Sequence, residues 1–252
     1  MTRTPYLDAP VVALAHRGFS LDGLENSMAA FAAAVDLGFR YVETDAHATA
    51  DGFAVALHDE TLDRTTDGHG LVRELPWREV RAARIGGVEP VPLLEDLLGT
   101  WPDLRVNIDV KEAAGALPVA EVIERTQSHD RVLITSFSAA RRRATLQRLT
   151  KPVATSAGTA EIVRFLLDAR LGRSLTWLAR RVDCLQVPVA QARLTVVDER
   201  TVASAHAAGL ALHAWTINTP TQMRHLLDLG VDGLISDRAD LLRDVLEQRG
   251  LW

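Results

Sequence analysis

The sequence predicts a single α/β domain that folds as a TIM barrel, a closed ring of eight parallel strands surrounded by helices. Length and composition agree with this fold, since 252 residues of which 47% are hydrophobic suffice for one large core. Short β-branched runs also alternate with longer helical patterns along the whole chain. The alternative, an open doubly wound sheet, is disfavoured because no G-x-G-x-x-G follows the first predicted strand.

Eight apolar, β-branched runs are predicted as the barrel strands. They begin at residues 11, 39, 104, 131, 152, 183, 211 and 231. The helical patterns between them cover residues 25–37, 93–100, 117–127, 139–149, 160–181, 197–208, 221–229 and 239–248. Gly38 follows the first of these helices, where glycine is a common stop.

One segment, residues 49–91, breaks the alternation between the second strand and its helix. It holds a short apolar run, a turn-rich stretch (LDRTTDGHG) and a helical pattern (PWREVRAAR). Long loops in compact domains usually carry function or cover a site, so we predict a small insertion on the rim of the barrel. No linker indicates a second domain, and residues 1–252 are interpreted as one.

Charge and cysteine content narrow the class of protein. A net charge of −5 disfavours nucleic acid as a partner. Cys184 is the single cysteine, so neither an intrachain disulfide nor a cysteine-rich zinc site can form. No signal peptide and no transmembrane segment of ~18–20 apolar residues is apparent, which predicts a soluble cytoplasmic protein. The oligomeric state cannot be read from the sequence.

Acidic side chains share one face of two neighbouring predicted strands. Glu43 and Asp45 alternate with apolar residues on the second strand, as Asp109 and Lys111 do on the third. Buried, unpaired polar groups are costly, and a divalent cation is the simplest way to keep three adjacent carboxylates ionised. The structural alternative is a salt-bridge network with Arg17 and Lys111, which offers two cations for three acids.

The donor set and two histidines indicate a reaction class. Oxygen ligands favour one Mg²⁺ or Ca²⁺ ion, with Mn²⁺ as a further candidate and zinc as a minor alternative that His16 and His58 could serve. Each histidine lies at or just beyond the end of an apolar run. Two histidines, paired carboxylates and an arginine are the groups that a metal-assisted phosphodiester hydrolase needs.

An ordered set of motifs resembles the glycerophosphodiester phosphodiesterase family in its bacterial, single-domain form. The specific motifs are H-R-G at 16–18, E-N-S at 25–27, E-x-D at 43–45, H-D-x-x-L-x-R-T at 58–65 and D-x-K at 109–111. Weaker matches are P-L-L-E at 92–95, Q-V-P at 186–188, W-T-x-N at 215–218 and D-G-L-I-S-D at 232–237. Each motif is weak alone, but the ordered set is specific and spans nearly the whole chain.

The resemblance implies a TIM barrel with its active site at the carboxyl ends of the strands. It implies that Glu43, Asp45 and Asp109 ligate the metal. The family usually has glutamate where Asp109 stands, and the shorter side chain would bind through water or shift the ion. The family also commonly has Pro-Glu-Asn-Thr at residues 24–27, where helix capping by Asn26 or Ser27 is the structural alternative.

The resemblance also implies the acid–base and substrate groups. His16 and His58 would be the acid–base pair, which we assign as base and acid respectively, although the sequence does not fix the direction. Arg17 and Lys111 occupy positions that resemble the family's phosphate contacts. Trp215, near the end of its strand, is a candidate contact for the glycerol moiety, with a place in the barrel core as the alternative.

The implied reaction is metal-dependent hydrolysis of a small-molecule glycerophosphodiester to glycerol 3-phosphate and an alcohol. The alternative is a lysophospholipase-D-like hydrolase, or a lyase that forms cyclic phosphates from lysolipids. A barrel that binds a phosphorylated ligand without turnover is disfavoured by the histidine pair and the carboxylates. Separately, residues 161–181 form an amphipathic pattern, interpreted as one or two helices on the barrel or as a lipid-facing or dimer surface.

Overall fold

The computed structural model describes residues 5–191 and 194–252, which form a ring of parallel strands inside a layer of helices. The strands in these residues are β1 (Val12–His16), β2 (Tyr41–Ala48), β3 (Ala54–Ala56), β4 (Arg84–Ile85), β5 (Glu89–Pro90), β6 (Arg105–Val110), β7 (Val132–Thr135), β8 (Ala154–Thr155), β9 (Cys184–Pro188), β10 (Ala190–Gln191), β11 (Leu194–Thr195), β12 (Ala211–Trp215) and β13 (Gly233–Ser236). The helices are α1 (Met28–Asp36), α2 (Trp77–Val80), α3 (Leu94–Thr100), α4 (Ala116–Thr126), α5 (Ala139–Leu146), α6 (Thr159–Arg170), α7 (Thr176–Ala179), α8 (Glu199–Ala207), α9 (Pro220–Asp228) and α10 (Ala239–Gln248).

The barrel strands lie in the order β8-β7-β6-β2-β1-β13-β12-β9, and each neighbouring pair is parallel. A parallel bridge between Ser156 and Cys184 joins the two ends of this order. The TIM-barrel prediction is therefore confirmed. Because all strands run the same way, their carboxyl ends meet at one face of the ring, where sites of this fold lie.

Strand alternation sorts side chains into an outer and an inner set, as the sequence predicts. Val106, Ile108 and Val110 of β6 pack in the large core between sheet and helices. Tyr41 of β2 belongs instead to a smaller core inside the ring. There its hydroxyl donates to the backbone carbonyl of Tyr6 at 2.9 Å, so the first described turn closes the amino-terminal end of the barrel. The polar inner positions lie towards the opposite, carboxyl end.

Several helix bounds differ from the predicted ones, and for two helices the cause can be identified. Helix α1 begins at Met28 and not at residue 25, because Asn26 has a left-handed φ of 60° and Ser27 is the N-cap, accepting from the Ala30 N–H. The pattern over 160–181 forms two helices, α6 and α7. Gly172, with φ +64°, follows the end of α6, where a left-handed residue stops a helix.

The segment after β2 builds a small substructure on the rim. Strand β3 pairs antiparallel with the end of β2, and β4 and β5 form a two-stranded antiparallel ladder. This substructure has an apolar core of its own, made of Val55, Leu57, Leu62, Val72, Val80, Ala83, Ile85 and Val91. It thereby holds the residues that follow β3 in fixed positions above the barrel. The assignment of residues 1–252 to one domain stays a prediction.

None of the helices in the described ranges is both long and apolar enough to cross a membrane. The cytoplasmic location inferred from the sequence stays a prediction.

Candidate active site

A cavity of about 420 Å³ opens at the carboxyl ends of the barrel strands. The eight residues that the sequence singles out all line it: His16, Arg17, Glu43, Asp45, His58, Asp109, Lys111 and Trp215. Six of them lie on β1, β2 and β6 or directly after β1 and β6. His58 is contributed by the rim insertion, and Trp215 ends β12. The fold thus brings the predicted set together in one place.

His16, the last residue of β1, is held by an aspartate from the far end of the chain. Its Nδ1 lies 2.6 Å from Oδ1 of Asp237, whose other oxygen accepts from Asn218 Nδ2 at 2.7 Å. Although burial raises the pKa of Asp237, these two hydrogen bonds bring it below its usual value, so the carboxylate accepts and Nδ1 carries the proton. The Nε2 atom remains for chemistry and lies 3.7 Å from Glu43 Oε2.

The pKa of His16 reflects competing effects. Burial alone would lower it, but the Glu43 carboxylate and the hydrogen bond to Asp237 together raise it above its ordinary value. Because its pKa is raised, the His16 ring holds a proton that it has taken up more firmly than a free imidazole does, and it can exchange that proton with a bound group.

A tight left-handed turn after β1 places Arg17. Both Arg17 (φ 56°) and Gly18 (φ 82°) have positive φ, and a Cβ at Gly18 would lie 2.6 Å from the Ala30 backbone. Glycine is therefore required where the turn meets α1. The turn points the Arg17 N–H at Glu43 Oε2, 3.2 Å away, and the guanidinium at Glu25 and Asp45, at 2.9 and 3.0 Å.

The three acids converge as strand register predicts. Asp45 and Asp109 are direct partners across β2 and β6, and Glu43 lies two residues earlier on the same face as Asp45. Lys111 Nζ lies between the two aspartates, 2.7 Å from Asp45 Oδ1 and 2.8 Å from Asp109 Oδ2. Arg17 and Lys111 thus form the ion pairs that the salt-bridge alternative describes.

Asn26 anchors one of these acids. Its side-chain N–H donates to Asp45 Oδ2 at 3.0 Å, while its carbonyl oxygen accepts from the Thr44 hydroxyl at 2.8 Å. The residue is buried in the left-handed conformation that asparagine tolerates. The capping role considered from the sequence belongs to Ser27, and Asn26 instead orients Asp45.

The carboxyl groups of Glu43 and Asp45 differ in pKa. Burial and the neighbouring Asp45 raise the pKa of Glu43 to about 7. Burial also acts on Asp45, but Lys111 and Arg17 outweigh it and lower the pKa of that carboxyl. Asp109 Oδ1 is buried and has no hydrogen-bond partner among the described residues. Lys111 and Arg17 thus lower the pKa of Asp45, whereas that of Glu43 is raised and one oxygen of Asp109 accepts no hydrogen bond among the described residues.

This donor set fits a hard divalent cation in its chemistry, since all three groups are carboxylates. As the side chains lie, no group of three or more His, Cys, Asp or Glu residues within 5–191 and 194–252 is arranged to hold a metal ion. The Lys111 ammonium lies between two of the acids. The predicted ligand roles of Glu43, Asp45 and Asp109 thus stay predictions.

The rim insertion positions His58 in a second carboxylate pair. His58 Nδ1 lies 2.6 Å from Oδ1 of Asp59, and the Arg64 guanidinium donates to both oxygens of that carboxylate. The hydrogen bond from Arg64 lowers the pKa of Asp59 to about 2. Arg64 also donates to Glu25 Oε1 at 2.7 Å, which ties the insertion to the segment that precedes α1.

His47 supports His58 from below. Its Nε2 lies 3.1 Å from the backbone carbonyl of His58, and its Nδ1 lies 3.1 Å from Glu112 Oε1. Glu112 also accepts from the Ala48 N–H at 3.2 Å. His47 follows Glu43 and Asp45 on the same face of β2, and its contact with the His58 carbonyl can position that residue.

The opposite half of the cavity is largely apolar. It is lined by Phe137, Ala157, Ile162, Val163, Leu166, Pro188, Val196 and Trp215. Trp215 packs edge-on against Phe137 with ring centroids 5.9 Å apart, and Lys111 Nζ lies 5.7 Å from the centre of the Phe137 ring. Trp215 is therefore at the cavity wall, and it also packs against the small core inside the ring. Its contact with the glycerol moiety stays a prediction.

Sequence reasoning missed three supporting residues. Asp237 ends the DGLISD motif that the resemblance includes, and Asp59 directly follows His58. Arg64 is the arginine of the H-D-x-x-L-x-R-T motif. A carboxylate within reach of each histidine could have been sought as the usual means of fixing an imidazole tautomer.

A closed parallel barrel with acids, histidines and cationic side chains at its carboxyl end is the arrangement of a barrel hydrolase. Residues 16–241 match the model of the glycerophosphoryl diester phosphodiesterase family. The protein named Probable glycerophosphodiester phosphodiesterase 2 of Mycobacterium tuberculosis is 50% identical over 244 residues, which are 96% of this chain and 92% of that one.

Solved structures show the same fold. A glycerophosphodiester phosphodiesterase from Agrobacterium tumefaciens has a TM-score of 0.77 at 23% identity, covering 94% of this chain and 99% of that one. A phosphodiesterase from Oleispira antarctica, in complex with the product sn-glycerol-3-phosphate, has a TM-score of 0.78 at 23% identity, covering 96% and 99%. The chain belongs to the glycerophosphoryl diester phosphodiesterase family, and the prediction that it is an enzyme of this family is confirmed.

Proposed function

We propose that this enzyme hydrolyses glycerophosphodiesters to glycerol 3-phosphate and an alcohol with the help of one divalent cation. The observation that carries the proposal is a single cavity in which two carboxylate-bonded histidines lie beside three acids. The product complex of the Oleispira relative supports the choice of product, because that protein binds glycerol 3-phosphate.

The cation would be held by the carboxylates of Glu43, Asp45 and Asp109. Mg²⁺ or Ca²⁺ suits these oxygen donors, with Mn²⁺ as a further candidate. When bound, it would stabilise the negative charge that develops on the phosphoryl oxygens. Arg17 and Lys111 add positive charge at the same end of the cavity and would orient the phosphate.

The two histidines would move the protons. Because Asp237 and Asp59 accept from Nδ1, each ring has its Nε2 left for this role. His16 would take the proton of the attacking oxygen, and His58 would protonate the departing alcohol, which otherwise leaves as an alkoxide. Groups of this kind contribute ~10²–10⁴-fold each.

The test is ³¹P NMR of purified enzyme with glycerophosphocholine, with and without EDTA, followed by Mg²⁺, Ca²⁺ or Mn²⁺ add-back. We expect glycerol 3-phosphate to form, EDTA to stop its formation and one of the ions to restore it. Unchanged turnover in EDTA, with metal analysis showing none bound, would contradict the cation. Absence of glycerol 3-phosphate under every condition would contradict the activity.

Cation binding can be checked without turnover. The melting temperature of the wild type should rise on addition of the activating ion, because a ligand of the folded state stabilises it. Asp109→Asn should abolish or weaken this rise. The control, Asp59→Asn, changes a carboxylate outside the acid cluster and should keep it.

A second candidate is a lysolipid substrate, and the apolar half of the cavity favours it. A deacylated glycerophosphodiester has no apolar group large enough to cover this wall. The acyl chain of a lysolipid would contact the wall and exclude water from it. Lysophosphatidylcholine should then give a larger kcat/KM than glycerophosphocholine. The same ³¹P spectra distinguish two products. Attack by water gives a linear phosphate, and attack by the neighbouring hydroxyl gives a cyclic one.

A further inference from the structure

Helix α6 presents an apolar stripe to solvent beside the cavity mouth. Val163, Leu167 and Leu171 are 53%, 56% and 62% exposed. Their four-residue spacing puts them on one side of the helix. We call this surface, with Arg164 and Arg170 on its flanks, the α6 face. Exposed apolar side chains grouped in this way mark interaction sites more often than scattered ones do.

The α6 face is continuous with the active-site cavity. Val163 is exposed and also lines the cavity. The half-buried Ile162 and Leu166 of the same helix line it as well. An apolar path therefore leads from the cavity wall onto the outside of the barrel. A partner that covers the α6 face would lie at the entrance used by substrate.

The charge around the α6 face is opposite to that of the whole protein. Residues 159–181 contain five arginines and two acids, a net charge of +3 in a chain of net charge −5. Both acids are buried: Glu161 pairs with Arg142 at 2.7 Å, and Asp168 accepts from the indole N–H of Trp177 at 3.1 Å. Asp168 also lies 3.4 Å from Arg164 and 3.7 Å from Arg173, so its charge is offset within the segment. The remaining charge that this segment shows to solvent is positive.

We propose that the α6 face binds an anionic lipid surface, with the helix lying in the plane of the headgroups and its leucines inserted. An apolar stripe bordered by arginines is the composition of interfacial helices, and anionic lipids attract such arginines. A second copy of the chain fits less well. A two-fold contact would set this positive surface against itself.

The test is co-sedimentation of the whole protein with vesicles of phosphatidylcholine alone or mixed with phosphatidylglycerol. We expect binding to the mixed vesicles, weaker binding to phosphatidylcholine, and loss of the difference at high salt, where charges are screened. Equal binding to both vesicle types, or none to either, would overturn the proposal.

Paired variants identify the surface. Leu167→Gln with Leu171→Gln should lower the vesicle partition coefficient about tenfold or more, because two large apolar side chains no longer enter the interface. Arg170→Gln should lower it about fivefold. The matched control is Leu117→Gln on α4, whose leucine is 50% exposed and should not affect binding. Equal effects of the control and the double variant would overturn the assignment.

Two further readouts separate this proposal from the others. Neither Leu167 nor Leu171 lines the cavity, so the double variant should turn over soluble glycerophosphocholine like the wild type. Vesicle binding needs no turnover, so failure of the proposed function leaves it measurable. A dimer in sedimentation velocity that the double variant dissociates, with no vesicle binding, would assign the α6 face to a second copy and overturn the lipid proposal.

Discussion

The two histidines of the candidate active site both bond to an aspartate but are held by different parts of the molecule. His16 lies at the end of a barrel strand, and its aspartate is 221 residues away, after the last strand. His58 lies in the rim insertion, and its aspartate is the next residue. The His16 side chain is 17% exposed and that of His58 is 35% exposed.

This difference separates a site built by barrel closure from one built by a local loop. Strands β1 and β13 are paired neighbours, so closing the ring is what brings Asp237 to His16. His58 instead depends on the insertion, which Arg64 ties to Glu25 and His47 ties to β2. The first pair should be rigid and sensitive to changes in its partner, whereas the second keeps several independent anchors.

The largest expected effect comes from removing either ring. His16→Ala and His58→Ala should each lower kcat on glycerophosphocholine by ~10²–10⁴-fold. A p-nitrophenyl ester of glycerol phosphate sharpens the comparison, because its leaving group needs no proton. With that substrate the defect of His58→Ala should nearly vanish, and that of His16→Ala should remain.

The outcome of this substrate comparison assigns the roles. Rescue of His16→Ala alone would exchange acid and base. If His58→Ala keeps near-full activity on glycerophosphocholine, His58 has no role as acid or base. Circular dichroism of both variants checks that the loss is not one of folding.

The next effect distinguishes the two carboxylate partners. Asp237→Asn should lower kcat about 10–100-fold, by analogy with the carboxylates that orient metal-bound imidazoles. Asp59→Asn should cost less than about tenfold, because the backbone of His58 is still held through its carbonyl by His47. The measurement is kcat and KM for both variants. Equal losses would mean that barrel closure confers no special rigidity on His16.

A smaller effect is expected at the support beneath His58. Glu112→Ala removes the acceptor of His47 and should lower kcat about two- to tenfold with KM little changed. Glu112→Gln keeps an acceptor oxygen for both His47 and the Ala48 N–H and serves as the matched control. If both variants behave like the wild type, His47 does not position His58 for catalysis.

Local rules predict the fold and the strand-borne part of the site. Alternation along β2 and β6 puts Glu43, Asp45 and Asp109 on the inner face, and the parallel register then makes Asp45 and Asp109 neighbours. These relations need only the periodicity of a strand and the direction of the sheet.

The remaining contacts of the candidate site cannot be predicted from the periodicity of strands and helices. The bond between His16 and Asp237 requires the ring to close, and that between Arg64 and Glu25 requires the path of the insertion. The left-handed Asn26 lies in a motif that is equally compatible with a helix cap, so its bond to Asp45 could not be read from residue types. The position of the Lys111 ammonium between Asp45 and Asp109 likewise depends on side-chain rotamers.

The smallest effect is a pH-dependent contribution of the insertion to stability. The pKa of Asp59 falls from 3.8 to about 2 in the folded protein, chiefly through Arg64. A lowered folded pKa means that the ion pair stabilises the protein above about pH 4 and that this contribution disappears as pH falls through about 2.

Because this pair is partly open to solvent, we expect Asp59→Asn to reduce the free energy of unfolding by no more than about 1 kcal/mol at neutral pH. Urea unfolding of the wild type and Asp59→Asn, near neutral pH and near pH 2, measures this difference, with the exposed Asp22→Asn as control. The two curves should separate at neutral pH and converge in acid. A difference that keeps its neutral-pH size near pH 2 would have to come from packing, because the folded carboxylate is then about half protonated and most of the contribution of its charge is lost. His58 would then depend on the shape of Asp59 more than on its charge.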